Sequence, residues 1–236
     1  MDRPLANSYW VLPGRLLAGE YPLGREKPPG DAGRARLQAL LAAGISCFVD
    51  LTEEGECWPY EALLPPTVSY LRRPIRDQRV PRRATQMRRI QDEIASALSA
   101  GRNLYLHCRA GIGRTGMVAG CFLVEQGRDG ECALRELNEL WTQQCARAEL
   151  WPMVPQTPDQ AEYIRHWTPR LPPALGYADA GESDDDAEIT DTELAPVRGL
   201  RERFQGAMLG LAVGDALAAA TPVSYTHLTL PTKRIV

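Results

Sequence analysis

The sequence predicts an α/β fold, a mixed central sheet of about five strands flanked by helices, held within residues 1–171. Two observations carry that prediction. Short apolar runs of strand length, at 9–12, 15–18, 45–51, 68–71 and 104–107, alternate with longer stretches of helical spacing. A chain of 236 residues that is 44% hydrophobic can also bury one good-sized core and still leave residues over.

The elements follow in order. Runs 9–12 and 15–18 flank Pro13-Gly14, a turn dipeptide, and read as paired strands. Asp31 is placed to cap a helix over 31–43, with Leu37, Leu40 and Leu41 on one face and Gly44 as its stop. The run 45–51 suits a buried central strand, and 68–71 is a further strand. Met87, Ile90, Ile94 and Leu98 give residues 85–98 helical spacing, and 104–107 is the next core strand. Helices are expected at 115–126, 131–145 and 158–167, the last opened by Thr157 as cap and Pro158 at its first position.

Beyond 171 the chain changes character. The net charge of −3 divides into +2 over 1–171, −8 over 172–197 and +3 over 198–236. Residues 172–197 carry prolines and acids with almost no large apolar side chains, the composition of a disordered linker. The chain opens without an apolar run, so no signal peptide is expected. Its longest apolar stretch, 207–220, is broken by Asp215 and is too short to span a bilayer. Six cysteines form no C-x-x-C pair and only three histidines are present, which argues against zinc. No metal and no cofactor are expected, and a reducing cytoplasmic setting fits.

Residues 107–116 read His-Cys-Arg-Ala-Gly-Ile-Gly-Arg-Thr-Gly and lie between a strand and a helix. A phosphomonoester repels nucleophiles with its own charge, so a site must bind the dianion and supply an ionised nucleophile. Cys108 fits that role, because a thiol at a helix N-terminus ionises below its free value of roughly 8.5. Arg109, Ala110, Gly111, Ile112 and Gly113 form the loop that aims N–H groups at the phosphate, and Gly111 and Gly113 permit positive φ. Arg114 offers a planar fork to two phosphate oxygens. Thr115 is placed to hydrogen-bond the Cys108 sulfur, and His107 to orient the loop rather than donate a proton. The same run matches G-x-G-x-x-G at 111–116, but no second parallel strand ending in an acid follows, so a dinucleotide site is disfavoured.

His107-Cys108, five intervening residues and Arg114-Thr115 resemble the signature of the cysteine-dependent protein tyrosine phosphatase superfamily, over roughly residues 5–170. That length is similar to the compact dual-specificity members. The resemblance implies their fold, a two-step reaction through a phosphocysteine, and a general acid on a loop some thirty residues before the cysteine. Asp77 stands 31 residues upstream, between Pro74 and Pro81, and is the residue so implied; Asp50 and Asp92 are weaker candidates. Residues 155–160 resemble the family's glutamine loop, which implies that Gln156 or Gln160 positions the hydrolytic water.

Eight arginines and one acid, Asp77, lie between 72 and 89, and would draw in anionic substrates. The expected partner is a phosphorylated protein or a small phosphate ester, with neither membrane nor nucleic acid. The alternatives are a phospho-binding module with little turnover, a sulfurtransferase using a persulfide on Cys108, and a small-molecule phosphatase tied to ADP-ribose metabolism. That last reading comes from residues 203–217, which resemble the opening helix of the ADP-ribosylglycohydrolase family; 198–220 reads as its truncated start. Residues 221–236 read as translated adapter rather than native sequence.

Overall fold

The computed structural model of the chain describes residues 2–24 and 28–169, within one compact unit spanning Met1–Ala174. The acidic linker at 172–197, the segment 198–220 and the tail 221–236 lie outside the described residues.

Five strands form one sheet: β1 (Ser8–Leu12), β2 (Leu16–Gly19), β3 (Cys47–Asp50), β4 (Ser69–Arg72) and β5 (Leu104–His107). Their order is β1-β2-β5-β3-β4, with β1 antiparallel to β2 and every other pair parallel. The mixed sheet is thus the one the alternating pattern predicts. Among the described residues five α-helices surround it: α1 (Asp31–Ala42), α2 (Ala84–Ser99), α3 (Gly113–Glu125), α4 (Gly130–Gln144) and α5 (Pro158–Arg165).

Alternation along the strands sorts the core into two layers. Leu16, Ala18, Cys47, Val49, Leu104 and Leu106 pack with residues of α2, α3, α4 and α5. Their neighbours Leu17, Phe48 and Tyr105 point the other way, onto Leu37 and Leu40 of α1. α3 is buried along almost its whole length, so it reads as a core helix without a polar face.

Helix ends differ in detail from expectation. Asp31 is the first helical residue and not the cap; Gly30 occupies that position, and Asp31 acts through the helix dipole. Gly44 terminates the helix at φ 82° as its position suggests. α5 opens with a full capping box: Thr157 accepts from Gln160 N–H while the Gln160 side chain accepts from Thr157 N–H.

Candidate active site

The site forms at the carboxyl ends of the parallel strands, the usual place for ligands in such sheets. Register sets Gly19, His107, Asp50 and Arg72 level across β2, β5, β3 and β4. The chain leaves β5 at His107 and enters α3 at Gly113, two residues before the start the sequence suggests. Cys108 therefore sits on a five-residue loop leading straight into a helix N-terminus, where free N–H groups favour an anion.

Cys108, Arg109, Ala110 and Gly113 line one cavity of about 160 Å³ together with Asp77 and Gln156. Pockets for drug-sized ligands run to about 300–1,000 Å³, so this one suits a small group such as a phosphate. Gly111 has φ 76°, and a Cβ there would lie 2.5 Å from the Gly19 carbonyl carbon. Both backbone strain and space demand glycine at that point. Gly113 departs from expectation: it opens α3 without a positive φ. Its missing side chain serves proximity instead, since a Cβ would meet Gln160 Oε1 at 2.9 Å and Gln156 Cβ at 3.1 Å.

Arg114 is 1% exposed and its guanidinium is anchored from several sides. Nη1 donates to the carbonyls of Leu51 and Ile75 and to Glu56 Oε2 at 2.8 Å; Nη2 donates to Glu56 Oε1 at 2.6 Å. Nη2 also lies 3.0 Å from Asp77 Oδ1. Nε is buried and has no partner among the described residues. The guanidinium thus keeps a donor on its Nε–Nη2 edge, the edge suited to bidentate binding of an anion. Burial alone opposes the charge on Arg114, yet the Glu56 bond and the nearby Cys108 and Asp77 more than offset it and raise its pKa. Burial likewise pushes the Glu56 carboxyl up, and the bonds from Arg114 and from the backbone near Glu53 outweigh it and hold it low.

Asp77 comes from the loop after β4. Arg79 N–H donates to the Arg76 carbonyl at 3.1 Å, closing a turn in which Gln78 takes φ 58°. The turn leaves the Asp77 side chain 52% exposed at the cavity mouth, beside Arg114. Asp50 is buried and committed, accepting from Thr52 N–H, Thr52 Oγ1 and Tyr70 Oη. Asp92 sits on α2 and is not among the residues lining the cavity.

His107 is fully buried below the loop. Its Nδ1 lies 3.3 Å from the Cys108 carbonyl, and its Nε2 lies 2.6 Å from Tyr60 Oη. A carbonyl only accepts, so Nδ1 carries the proton and Nε2 accepts from the tyrosine. Burial depresses the imidazole pKa, which keeps the ring neutral. The expected bond from Thr115 to the Cys108 sulfur is not formed. With α3 starting early, Thr115 lies inside the helix, buried, and its hydroxyl has no partner among the described residues.

The two glutamines part company. Gln156 lines the Cys108 cavity. Gln160 spends its oxygen on the capping box and donates Nε2 to the Arg79 carbonyl at 3.2 Å, tying α5 to the Asp77 loop.

Three groups escaped the sequence reading. Glu56 and Tyr60 lie on the segment after β3, in no periodic element. Arg147, past the end of α4, donates to the Ala110 carbonyl at 2.6 Å and to Glu20 Oε2 at 2.5 Å. Glu20 is itself held by Arg36 and Asn7. The network fixes the Ala110 carbonyl and with it the course of the loop that leads into α3. One signal was legible: Glu53-Glu54-Gly55-Glu56 crowds three acids near a strand end, which an anion site tolerates only if a cation neutralises them.

The chain is similar to several known proteins. "Putative tyrosine phosphatase 067L" of Invertebrate iridescent virus 3 is 39% identical over 94 residues, covering 37% of this chain and 38% of the viral protein. "Putative tyrosine phosphatase 197R" of Invertebrate iridescent virus 6 is 30% identical over 132 residues, covering 54% and 44%. The chain thus spans less than half the length of either viral relative. The crystal structure of Tk-PTP in the active form is similar in fold, with TM-score 0.54 and 21% identity, over 70% of this chain and 98% of that one. Residues 5–161, from before β1 into α5, match the family model described as "Swiss Army Knife protein, DSP-PTPase phosphatase domain", and the chain belongs to that family, PTP-SAK.

Proposed function

We propose that the chain is a cysteine-dependent phosphomonoester hydrolase acting on phosphotyrosine, or on phosphotyrosine and phosphoserine/threonine together, in proteins. The observation that carries this reading is one cavity shared by Cys108, the loop that follows it and Asp77, with Arg114 reaching Asp77 at 3.0 Å.

In the first step the Cys108 thiolate attacks phosphorus. The S–P bond forms, the P–O bond to the leaving group breaks, and Asp77 gives that oxygen its proton. Loop N–H groups from Arg109 to Gly113, with the Nε–Nη2 edge of Arg114, hold the phosphoryl oxygens as charge builds on them. In the second step Asp77 takes a proton from water, Gln156 positions that water, and its oxygen displaces Cys108 sulfur from phosphorus. Inorganic phosphate leaves and the thiolate returns. His107 holds the Cys108 carbonyl and takes no part in proton transfer.

A phospho-reader gains nothing from an acid at the cavity mouth, and a persulfide sulfurtransferase has no use for Asp77. Incubating the full chain with a tyrosine-phosphorylated peptide separates these readings. Release of inorganic phosphate supports the hydrolase; saturable binding without release supports the reader. Comparison of the peptide with its phosphoserine counterpart sets the specificity.

The proposal extends to a cytoplasmic protein; among the described residues no helix is long and apolar enough to cross a membrane. The likeness of 203–217 to an ADP-ribosylglycohydrolase helix supports a longer parent in which phosphate removal and ADP-ribose removal are joined. An intact gene with no hydrolase domain after Ala220 removes that extension.

A further inference from the structure

The Asp77 loop has a second concave face. Arg76, Arg79 and Arg82 line a cavity of about 540 Å³, larger than the 160 Å³ around Cys108. Pro74, Ile75, Val80 and Pro81 give it apolar walls.

The eight arginines between 72 and 89 separate by their partners. Arg72 reaches Asp50 and Tyr70; Arg73 and Arg89 both bind Glu93. Arg88 donates to the Thr168 carbonyl and lies over the Trp167 ring. Arg76, Arg79, Arg82 and Arg83 make no side-chain hydrogen bond or ion pair with a described residue, and three of those four line this one cavity. Guanidinium groups gathered around one concavity repel each other, so together they favour an anion between them. Glu53 and Asp159 also reach the lining, leaving an excess of one positive charge. Asp159 sits in the first turn of α5, where helix N–H groups offset part of its charge.

The cavity is mechanically joined to the catalytic residues. Arg114 donates to the Ile75 carbonyl at 3.1 Å, and Gln160 donates to the Arg79 carbonyl at 3.2 Å. The turn closed between Arg76 and Arg79 carries Asp77 on one side and cavity-lining arginines on the other.

We propose that this cavity is a second anion site, taking a phosphate group next to the one being cleaved. The site itself stands on the unpaired arginines; only its role in substrate choice rests on the phosphatase reading. Its phosphate comes either from a second phosphorylated position on the substrate or from free anion, and both use the same guanidinium chemistry.

Titration of the full chain with inorganic phosphate, followed by backbone amide resonances, tests the site without turnover. Two saturable events are expected, one on residues 108–114 and one on 80–86. Arg79→Gln with Arg82→Gln abolishes the second and keeps the first. A single event, or a second one unchanged in the double variant, overturns the proposal. Kinetics then identify the source. A peptide with phosphotyrosine and a neighbouring second phosphate is expected to show roughly tenfold higher kcat/KM than its singly phosphorylated form, the scale of one charge-assisted hydrogen bond. The double variant brings that ratio to one, the singly phosphorylated peptide serving as its reference for any general loss of anion attraction. A ratio of one in the parent beside two binding events assigns the site to free anion. Absence of turnover on both peptides defeats the phosphatase reading alone and leaves the titration to decide the site.

Discussion

Asp77 Oδ1 lies 3.0 Å from Arg114 Nη2, although the two residues come from different strand ends and are 37 positions apart. One side chain is half exposed and the other buried, so the pair joins a solvent-facing acid to a fixed cation. The contact places a proton carrier next to the group that holds the phosphoryl oxygens. For Asp77→Asn we expect a loss of kcat on the order of 10²–10⁴-fold on phosphopeptides, the usual scale of general acid catalysis. On p-nitrophenyl phosphate, whose leaving group barely needs a proton, the loss is smaller. Equal losses on both substrates in steady-state assays contradict the role given to Asp77.

Glu56 binds both terminal nitrogens of Arg114, and Arg114 is buried. Removing one partner of a fully buried pair costs about 3–5 kcal/mol, but Asp77 and two carbonyls stay on Arg114 when Glu56 is lost. Glu56→Ala is therefore expected to lower stability by less than that range by urea denaturation, and to weaken phosphate binding because the guanidinium can turn. Glu56→Gln retains one acceptor and falls between. A Glu56→Ala protein with parental stability and kcat/KM would show that Glu56 is not needed to fix Arg114.

Arg147 holds the Ala110 carbonyl and Glu20. Arg147→Met frees that carbonyl and Glu20 Oε2, while Arg36 and Asn7 still hold Glu20 Oε1. The expected result is a kcat/KM loss of roughly ten- to a hundredfold, matching one charge-assisted bond of about 1.5–3 kcal/mol. Thermal unfolding checks the alternative: a large fall in Tm with unchanged activity of the remaining folded protein makes Arg147 a stability residue only.

His107 gives a pH signature. Burial depresses its pKa below the ordinary imidazole value of about 6.5, so the unfolded chain binds the proton more readily than the folded one. Its contribution to stability is present above about pH 6.5 and is lost as pH falls toward the folded value. Denaturant midpoints measured from pH 7.5 downward are expected to drop through that window, and His107→Asn to drop less. Parallel curves for the two proteins contradict the buried neutral assignment.

The sheet and its helices were legible because the patterns are local: the apolar run at 104–107 and the spacing of Met87, Ile90 and Ile94 need no distant partner. The Cys108 loop was legible for the same reason, its chemistry being contiguous from 107 to 115. Glu56, Tyr60 and Arg147 were not, since each meets the site through a contact 37 to 58 residues away in sequence. Thr115 and Gly113 were misjudged together, because both readings assumed a later helix start. Once α3 begins at Gly113, the glycine is needed for close packing and the threonine is fixed inside the helix. Gln156 and Gln160 could not be told apart until the capping box claimed the second.

The central claim is that Cys108 attacks phosphorus, and p-nitrophenyl phosphate turnover by the full chain beside its Cys108→Ser variant tests it most directly. The parent is expected to release nitrophenolate and to yield a phosphocysteine on acid quench, while the serine variant does neither yet still binds phosphate. A Cys108→Ser protein as active as the parent contradicts the mechanism outright.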